Sequence, residues 1–346
     1  MCLAKVFFRR PILKKGSIIL LCLLMAVPFA LFANGTSESA TSDKQVVYPK
    51  GNFDFVAPAG AGGGWDLTIR TVAKVLGDTK LVSVPMPVRN APGAGGAVHL
   101  GTLQTKKGDD KTITVYSPPI IFFNLNGTSK YGFRNATPLA RLIADYAAFV
   151  VKADSPYKSI MDVMDALKKD PKSVKIGGTS AAGSMDHIQF LIMARAAGVK
   201  NLNMIDYIAF DSDGATQVLG GHIDLFSTSL ADVMGLVNSG DLRVLAQTAD
   251  KRIGTGKAAE IPTCIEEGIN ETFQNWRGLF GSPDMPEYAV TYWRDTLSKL
   301  AKTPEWAAAL TKYGWDNVYL DSPDFVKFLE KTESDYQVIL KEIGMI

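Results

Sequence analysis

Strand-like runs of period two alternate with helix-like runs of period 3.6 along this chain, and three of the junctions between them are rich in glycine. That grammar restricts the fold to α/β layers with mainly parallel sheets. Phe53 to Ala57 is a short apolar run, and Leu67 to Leu76 then places Ile69, Val72, Ala73 and Leu76 on one helical face. Val82, Val84, Met86 and Val88 alternate as a half-buried strand should, and Ile113 and Val115 repeat the period. Ile160, Val163, Met164 and Leu167 return to helical spacing, with Ser159 as the expected N-cap. Val174 to Gly177 reads as a strand, Asp186 to Ala197 as a helix, and helices dominate from Pro286 onward.

Two stretches read as crossings between lobes. Ala140 to Lys152 is apolar for longer than one strand needs, and Leu242 to Thr248 is a short buried run. Crossing at both gives discontinuous lobes: 46–145 plus 249–346 in lobe one, and 146–248 in lobe two.

The glycine-rich junctions are Pro58 to Asp66, Asn90 to Gly96 and Gly177 to Asp186. Glycine lets the backbone approach a ligand closely, and the helix that follows presents unpaired N–H groups and the positive end of its dipole. Each junction is therefore suited to an anion. A nucleotide phosphate is disfavoured, because no junction supplies G-x-x-x-x-G-K-[ST] and both G-x-G-x-x-G near-matches fail at their last position. A small carboxylate fits. Three charge-assisted hydrogen bonds gross roughly 5–9 kcal/mol and micromolar binding needs about 8 kcal/mol, so backbone donors from two turns could suffice without a buried arginine. Such turns also serve simply to make sharp corners, but three of them, each ahead of a predicted helix, favour binding. Asp66 and Asp186 stand where aspartate caps a helix, and capping is the expected role of both.

The first 33 residues carry five bases and no acid, followed by an apolar run from Ile18 to Phe32 that is short for a membrane span. They read as an export signal, with Asn34 to Gln45 as a polar tether. Leu21 ahead of Cys22 argues against lipid attachment at Cys22, where a small residue is expected. Taking those five bases from the 37 leaves 32 against 35 acids, a mature net charge of about −3. Nucleic acid would require a basic face and is not the expected partner. Cleavage after Ala33 leaves Cys264 alone, so no intrachain disulfide is expected.

Catalytic and metal-binding patterns are absent. The three histidines, His99, His187 and His222, are scattered, and neither H-E-x-x-H nor G-x-S-x-G occurs. Asp186 and His187 are adjacent in sequence, but neighbours on a helix do not face each other. An α/β enzyme using one of them as base is the rival reading, and a structural surface protein a third. No cofactor and no metal are expected.

Taken together these segments resemble the receptors of tripartite tricarboxylate transporters, within the wider Bug family. The resemblance rests on Pro58-Ala59-Gly60 running into Gly62 to Thr68, Asn90 with Pro92 to Gly96, Thr137 to Tyr146, and Asp154 to Lys158. Asp186-His187, Leu242 to Ala246, Pro262-Thr263 and Asn275-Trp276-Arg277-Gly278 follow in the family's order. It implies a two-lobed, type II-like periplasmic-binding-protein (Venus flytrap) fold and a periplasmic, monomeric receptor whose partners are the large and small membrane subunits of the transporter. It also implies that facing turns grip a carboxylate largely through backbone and water. Those turns map here onto Gly62, Gly63, Gly64, Trp65 and Asp66, and onto Thr179, Ser180, Ala181, Gly183, Ser184 and Asp186. Asp211 and Ser212 join them at a turn where the family carries Ser-Gly-Gly-Gly and this chain reads Asp211-Ser212-Asp213-Gly214. The added negative charge leads to the expectation of a dicarboxylate or smaller acid over citrate.

Overall fold

The computed structural model describes residues 47–210 and 214–346. The expected export signal, Cys22, the tether, and Asp211, Ser212 and Asp213 lie outside the described residues.

The chain order is β1 (Asp54–Ala57), α1 (Gly64–Asp78), β2 (Val88–Asn90), α2 (Ala97–Leu103), β3 (Thr112–Tyr116), α3 (Pro119–Leu125) and β4 (Thr137–Lys152). Then come α4 (Ile160–Lys169), β5 (Ile176–Gly178), α5 (Met185–Ala196), β6 (Tyr207–Ala209), α6 (Gly214–Leu219), β7 (Leu225–Ser229), α7 (Leu230–Ser239) and β8 (Leu242–Gln247). The rest is α8 (Lys257–Glu260), β9 (Gln274–Gly281), α9 (Glu287–Leu300), α10 (Pro304–Tyr313), β10 (Asp316–Asp321) and α11 (Ser322–Glu342).

One strand organises everything. From Thr137 to Tyr146, β4 pairs antiparallel with β9, and β10 flanks its other edge. From Ala147 onward its partners are β7 and β8 instead. The long apolar segment is thus a single strand serving two sheets. Leu139 to Val151 is buried except at Arg141, so both faces are covered and no polar alternation is needed. Each sheet carries a parallel wing outside this antiparallel centre: β2-β1-β3 in the first and β6-β5-β7 in the second. The result is a two-lobed α/β fold.

Separate apolar clusters fill the two halves. Phe53, Phe55, Ile69, Val72, Leu76, Ile113 and Trp293 pack under the first wing, and Val150, Val218, Phe226, Val233 and Val244 pack in the second half. A further cluster runs continuously from α3 through α4 and α5 to Phe325, Leu329, Tyr336 and Ile339 of α11. The Ser159 cap is present: its Oγ accepts from the Asp162 N–H at 3.2 Å, and the Asp162 carboxylate accepts from the Ser159 N–H at 3.0 Å.

The expected strand over Val82–Val88 is a correction. Only Val88–Asn90 forms ladder pairs. Pro85 and Pro87 accept from the N–H groups of Phe53 and Phe55 at 3.0 and 3.1 Å, but a proline has no N–H to return. Alternation was real, yet the backbone could bond in one direction only.

Candidate functional site

Strand β1 ends at Ala57, and the chain turns through Gly60 to Gly63 into α1. The Asp66 carboxylate closes this turn. It accepts from the Gly62 N–H at 2.9 Å, from Arg70 Nε at 2.8 Å and from Asn90 Nδ2 at 2.9 Å. Asn90 Nδ2 also donates to the Ala59 carbonyl at 3.0 Å, which ties the second glycine-rich junction to the first. Burial works to raise the Asp66 carboxyl, but the bonds from Arg70, Gly62 and Asn90 outweigh it and hold it below the usual carboxylate range. Asp66 does not cap α1 as expected. Gly63 is the N-cap, and Asp66 reaches back from the first turn to the loop that precedes it.

The glycines of this turn have different reasons to exist. Gly62 has φ +82°, which a side chain rarely tolerates. Gly64 faces the Arg277 guanidinium, where an added Cβ would lie 2.6 Å from Nη2. Gly60 and Gly63 have neither constraint: a Cβ on Gly60 meets nothing within 4 Å, and one on Gly63 meets only the Gly60 carbonyl at 3.6 Å. Gly60 to Gly64 are all exposed. An open helix start is therefore lined by two glycines that the fold itself does not require.

Trp65 flanks the turn, half-buried, with Nε1 donating to Ser117 Oγ at 2.9 Å and its ring edge-on to Tyr116 at 5.6 Å. Gly96 belongs to the second glycine-rich junction, where an added Cβ would come within 2.8 Å of the Trp65 ring.

The lobe-two turn repeats the design. Asp186 Oδ2 accepts from the Thr179 N–H at 2.8 Å, the Ser180 N–H at 3.0 Å and Thr179 Oγ1 at 3.2 Å, while Ser180 Oγ accepts from the Asp186 N–H at 2.7 Å. Here too the expected capping is corrected: Ser184 is the N-cap of α5, and Asp186 binds the loop behind it. Burial dominates at Asp186 and raises its carboxyl to about 6 despite these bonds, with Asp232 adding to the rise. Gly178 permits the approach, since a Cβ there would lie 2.3 Å from the Tyr207 hydroxyl oxygen and 2.5 Å from Asp186 Cβ. That hydroxyl donates to the Ser180 carbonyl at 2.8 Å. Thr179, Ala181 and Ala182 are exposed, Ser180 and Ser184 are half-buried, and Gly183 is buried against Met345.

His187 supports this turn. Its Nδ1 accepts from the Gly183 N–H at 3.0 Å, and its ring stacks on Tyr207 at 4.3 Å. Burial holds it at about 4, so it is neutral at physiological pH. Asp186 and His187 thus bind separate backbone groups of one loop.

Side chains that sequence reasoning did not select meet where β4 changes partners. Asp145 accepts from the Tyr146 N–H at 2.8 Å and from Ser229 Oγ at 2.5 Å. Arg277, on β9 and opposite Ile143, donates to Asp145 Oδ2 at 3.4 Å and to Thr68 Oγ1 at 3.3 Å. Thr68 in turn donates to the Gly64 carbonyl at 2.7 Å. Asp232, in the first turn of α7, is exposed to solvent but walled by protein. Desolvation is the largest cause raising its carboxyl, Asp145 adds, and Arg277 opposes. Asp232 feels Asp145 and in turn raises Asp186, which links this floor electrostatically to the lobe-two turn. An arginine inside the apolar run Trp276 to Phe280 was the available signal. A groove of about 1100 Å³ lies elsewhere, between α5 and α11, and no candidate turn residue lines it. Among the described residues no group of three or more His, Cys, Asp or Glu could hold a metal, and no helix is long and apolar enough to cross a membrane.

Residues 69–345 match the family model described as "Tripartite tricarboxylate transporter family receptor". The chain belongs to that family. It is 26% identical over 328 residues to the UPF0065 protein in the gbd 5′ region of Cupriavidus necator, covering 93% of this chain and 95% of that protein. A TctC solute-binding protein from Polaromonas superposes with a TM-score of 0.68 at 25% identity, over 86% of this chain and 100% of that one. The periplasmic binding protein BugD gives a TM-score of 0.71 at 18% identity, over 86% and 99% of the two chains. The tripartite tricarboxylate transporter receptor family is a family of solute-binding proteins, and the two-lobed fold found here is theirs.

Proposed function

We propose that this receptor is exported, captures a small organic carboxylate between its lobes, and delivers it to the membrane subunits of a tripartite tricarboxylate transporter. The observation that carries the reading is the open start of α1, where Gly60 and Gly63 are glycine with no demand from packing or φ. Space beside unpaired N–H groups at a positive helix end suits a carboxylate. Asp66 takes the Gly62 N–H and Asp186 takes those of Thr179 and Ser180, so the donors proposed for the ligand are the neighbouring exposed N–H groups at Gly63, Gly64 and Ala181. The reading keeps the lobe limits at 145/146 and 248/249, and the change of partners along β4 after Tyr146 supports a crossing near the first of them.

The preferred ligand is a dicarboxylate or smaller acid. MatC of Rhodopseudomonas palustris, with bound malate, superposes with a TM-score of 0.69 at 17% identity over 85% of this chain and 100% of that one. A second R. palustris protein, with adipate, gives 0.73 at 20% over 86% and 99%. Asp145 and Asp232 already place acid groups at the floor, and a trianion adds repulsion on the order of 4 kcal/mol for each unshielded pair at 4 Å and an effective dielectric of 20.

Competition calorimetry with malate, succinate, adipate and citrate, with and without divalent cation, tests this reading. The dicarboxylates bind more tightly, and chromatography recovers them unaltered. Citrate winning without metal overturns the preference, and recovery of a changed acid overturns the receptor reading in favour of an enzyme.

A further inference from the structure

Arg277 is 7% exposed, yet its surroundings do not satisfy it. A guanidinium has five N–H donors. Among the described residues two are used, on Thr68 and Asp145, which leaves three. Both bonds, at 3.3 and 3.4 Å, lie beyond the ordinary charge-assisted range. Arg243 is held more closely: its two terminal nitrogens reach the carbonyls of Ala153, Ser155 and Tyr157 at 3.1, 3.1 and 2.7 Å, although its buried Nε has no partner.

Asp145 does not depend on Arg277. Its Oδ1 is satisfied by the Tyr146 N–H and its Oδ2 by Ser229 Oγ at 2.5 Å. The guanidinium is therefore a cation held by two long hydrogen bonds and by the Trp315 ring, 5.6 Å from its Cζ, beside an acid that already has partners.

Its position is also electrostatically odd. Nη2 lies 2.6 Å from where a Gly64 Cβ would be, against the first residue of α1. A cation at the N-terminus of a fifteen-residue helix opposes the helix dipole. An anion bound beside both, touching the guanidinium and the helix start together, turns that repulsion into two attractions. Asp232 and Ser229, at the start of α7, stand on the other side of the same floor.

We propose that Arg277 is the side-chain anchor for one carboxylate of the bound acid, which takes its free donors and displaces its long contact to Asp145. Asp145 keeps the guanidinium in place in the empty receptor and competes with the ligand. This rests on the carboxylate-receptor reading and adds to it a side chain that sets charge selection.

Isothermal titration of acetate, succinate, malate, adipate and citrate into the wild-type protein, Arg277→Gln and Asp145→Asn tests it. Arg277→Gln loses affinity about 30-fold for the acid that wild type binds best, the size of one lost bond to a charged group. Asp145→Asn gains affinity, about threefold or more, because it frees the guanidinium. A purely structural ion pair predicts no gain. Wild type binding none of the acids overturns the receptor reading and this inference with it. If wild type binds, Arg277→Gln with affinity within threefold of wild type overturns the role of Arg277 alone. Should Arg277→Gln fail to fold, Asp145→Asn decides: unchanged or weaker binding overturns the proposal.

Discussion

The Asp66 carboxylate accepts a hydrogen bond from the Gly62 amide four residues behind it, at 2.9 Å, so the first turn of the site is held from within its own helix. Asp66→Ala removes that bond together with those from Arg70 and Asn90. Urea unfolding at pH 7 then shows a loss of about 2–3 kcal/mol. The sign with pH follows from a folded value below the usual range. The stabilisation from Asp66 is present above the unfolded pKa near 4 and disappears as pH falls through the lower folded value. Wild type and Asp66→Ala therefore converge in stability on acidification.

Asp186 behaves in the opposite sense. Its folded value of about 6 exceeds the unfolded 3.8, so the folded state favours the protonated form. Relative to Asp186→Asn, wild type loses stability as pH rises from about 4 to 6, then holds a constant deficit on the order of 3 kcal/mol. Melting temperatures of the two proteins between pH 4 and 8 check this. A difference that does not vary with pH shows that Asp186 is not raised.

Two glycine substitutions separate site from scaffold. Gly63→Val keeps the wild-type melting temperature within a few degrees, since its Cβ has room and its φ of −74° is ordinary, but carboxylate affinity falls by about 50-fold or more on calorimetry. Gly178→Ala forces a methyl against Tyr207 and Asp186 and destabilises the fold by about 1–3 kcal/mol in denaturant titration.

Trp65 is a natural reporter. The other four tryptophans, Trp276, Trp293, Trp306 and Trp315, are buried away from solvent, whereas Trp65 is half-buried beside the open turn. Ligand binding changes the intrinsic emission of wild type, and Trp65→Phe abolishes that change. A full signal surviving in Trp65→Phe moves the site away from α1.

The layered architecture and the ordering of strand, glycine-rich turn and helix were legible from residue spacing, because burial of one face imposes periods of two and 3.6. The apolar run Ala140–Lys152 reads in the sequence as longer than one strand needs, yet it is a single strand, which stays apolar because both its faces are covered. The run over Val82–Val88 misled for a reason local to the backbone: its side chains alternate, but its prolines cannot donate. The Asp66 and Asp186 positions pointed correctly to helix starts and wrongly to capping. Which amide a carboxylate reaches depends on how the preceding loop folds back, and residue type does not state that.

Arg277 marks the limit of the sequence most clearly. Its neighbours there are Trp276 and Gly278, on a strand that reads as apolar core. Thr68 and Asp145 come to it from α1 and β4, 209 and 132 positions away along the chain, and Ser229 of β7 reaches Asp145. Local periodicity determines which elements form, because it acts over neighbouring residues. Only the pairing of β4 with β9 on one side and β7 on the other decides which charges share a floor, since electrostatic contact depends on distance in space and not along the chain.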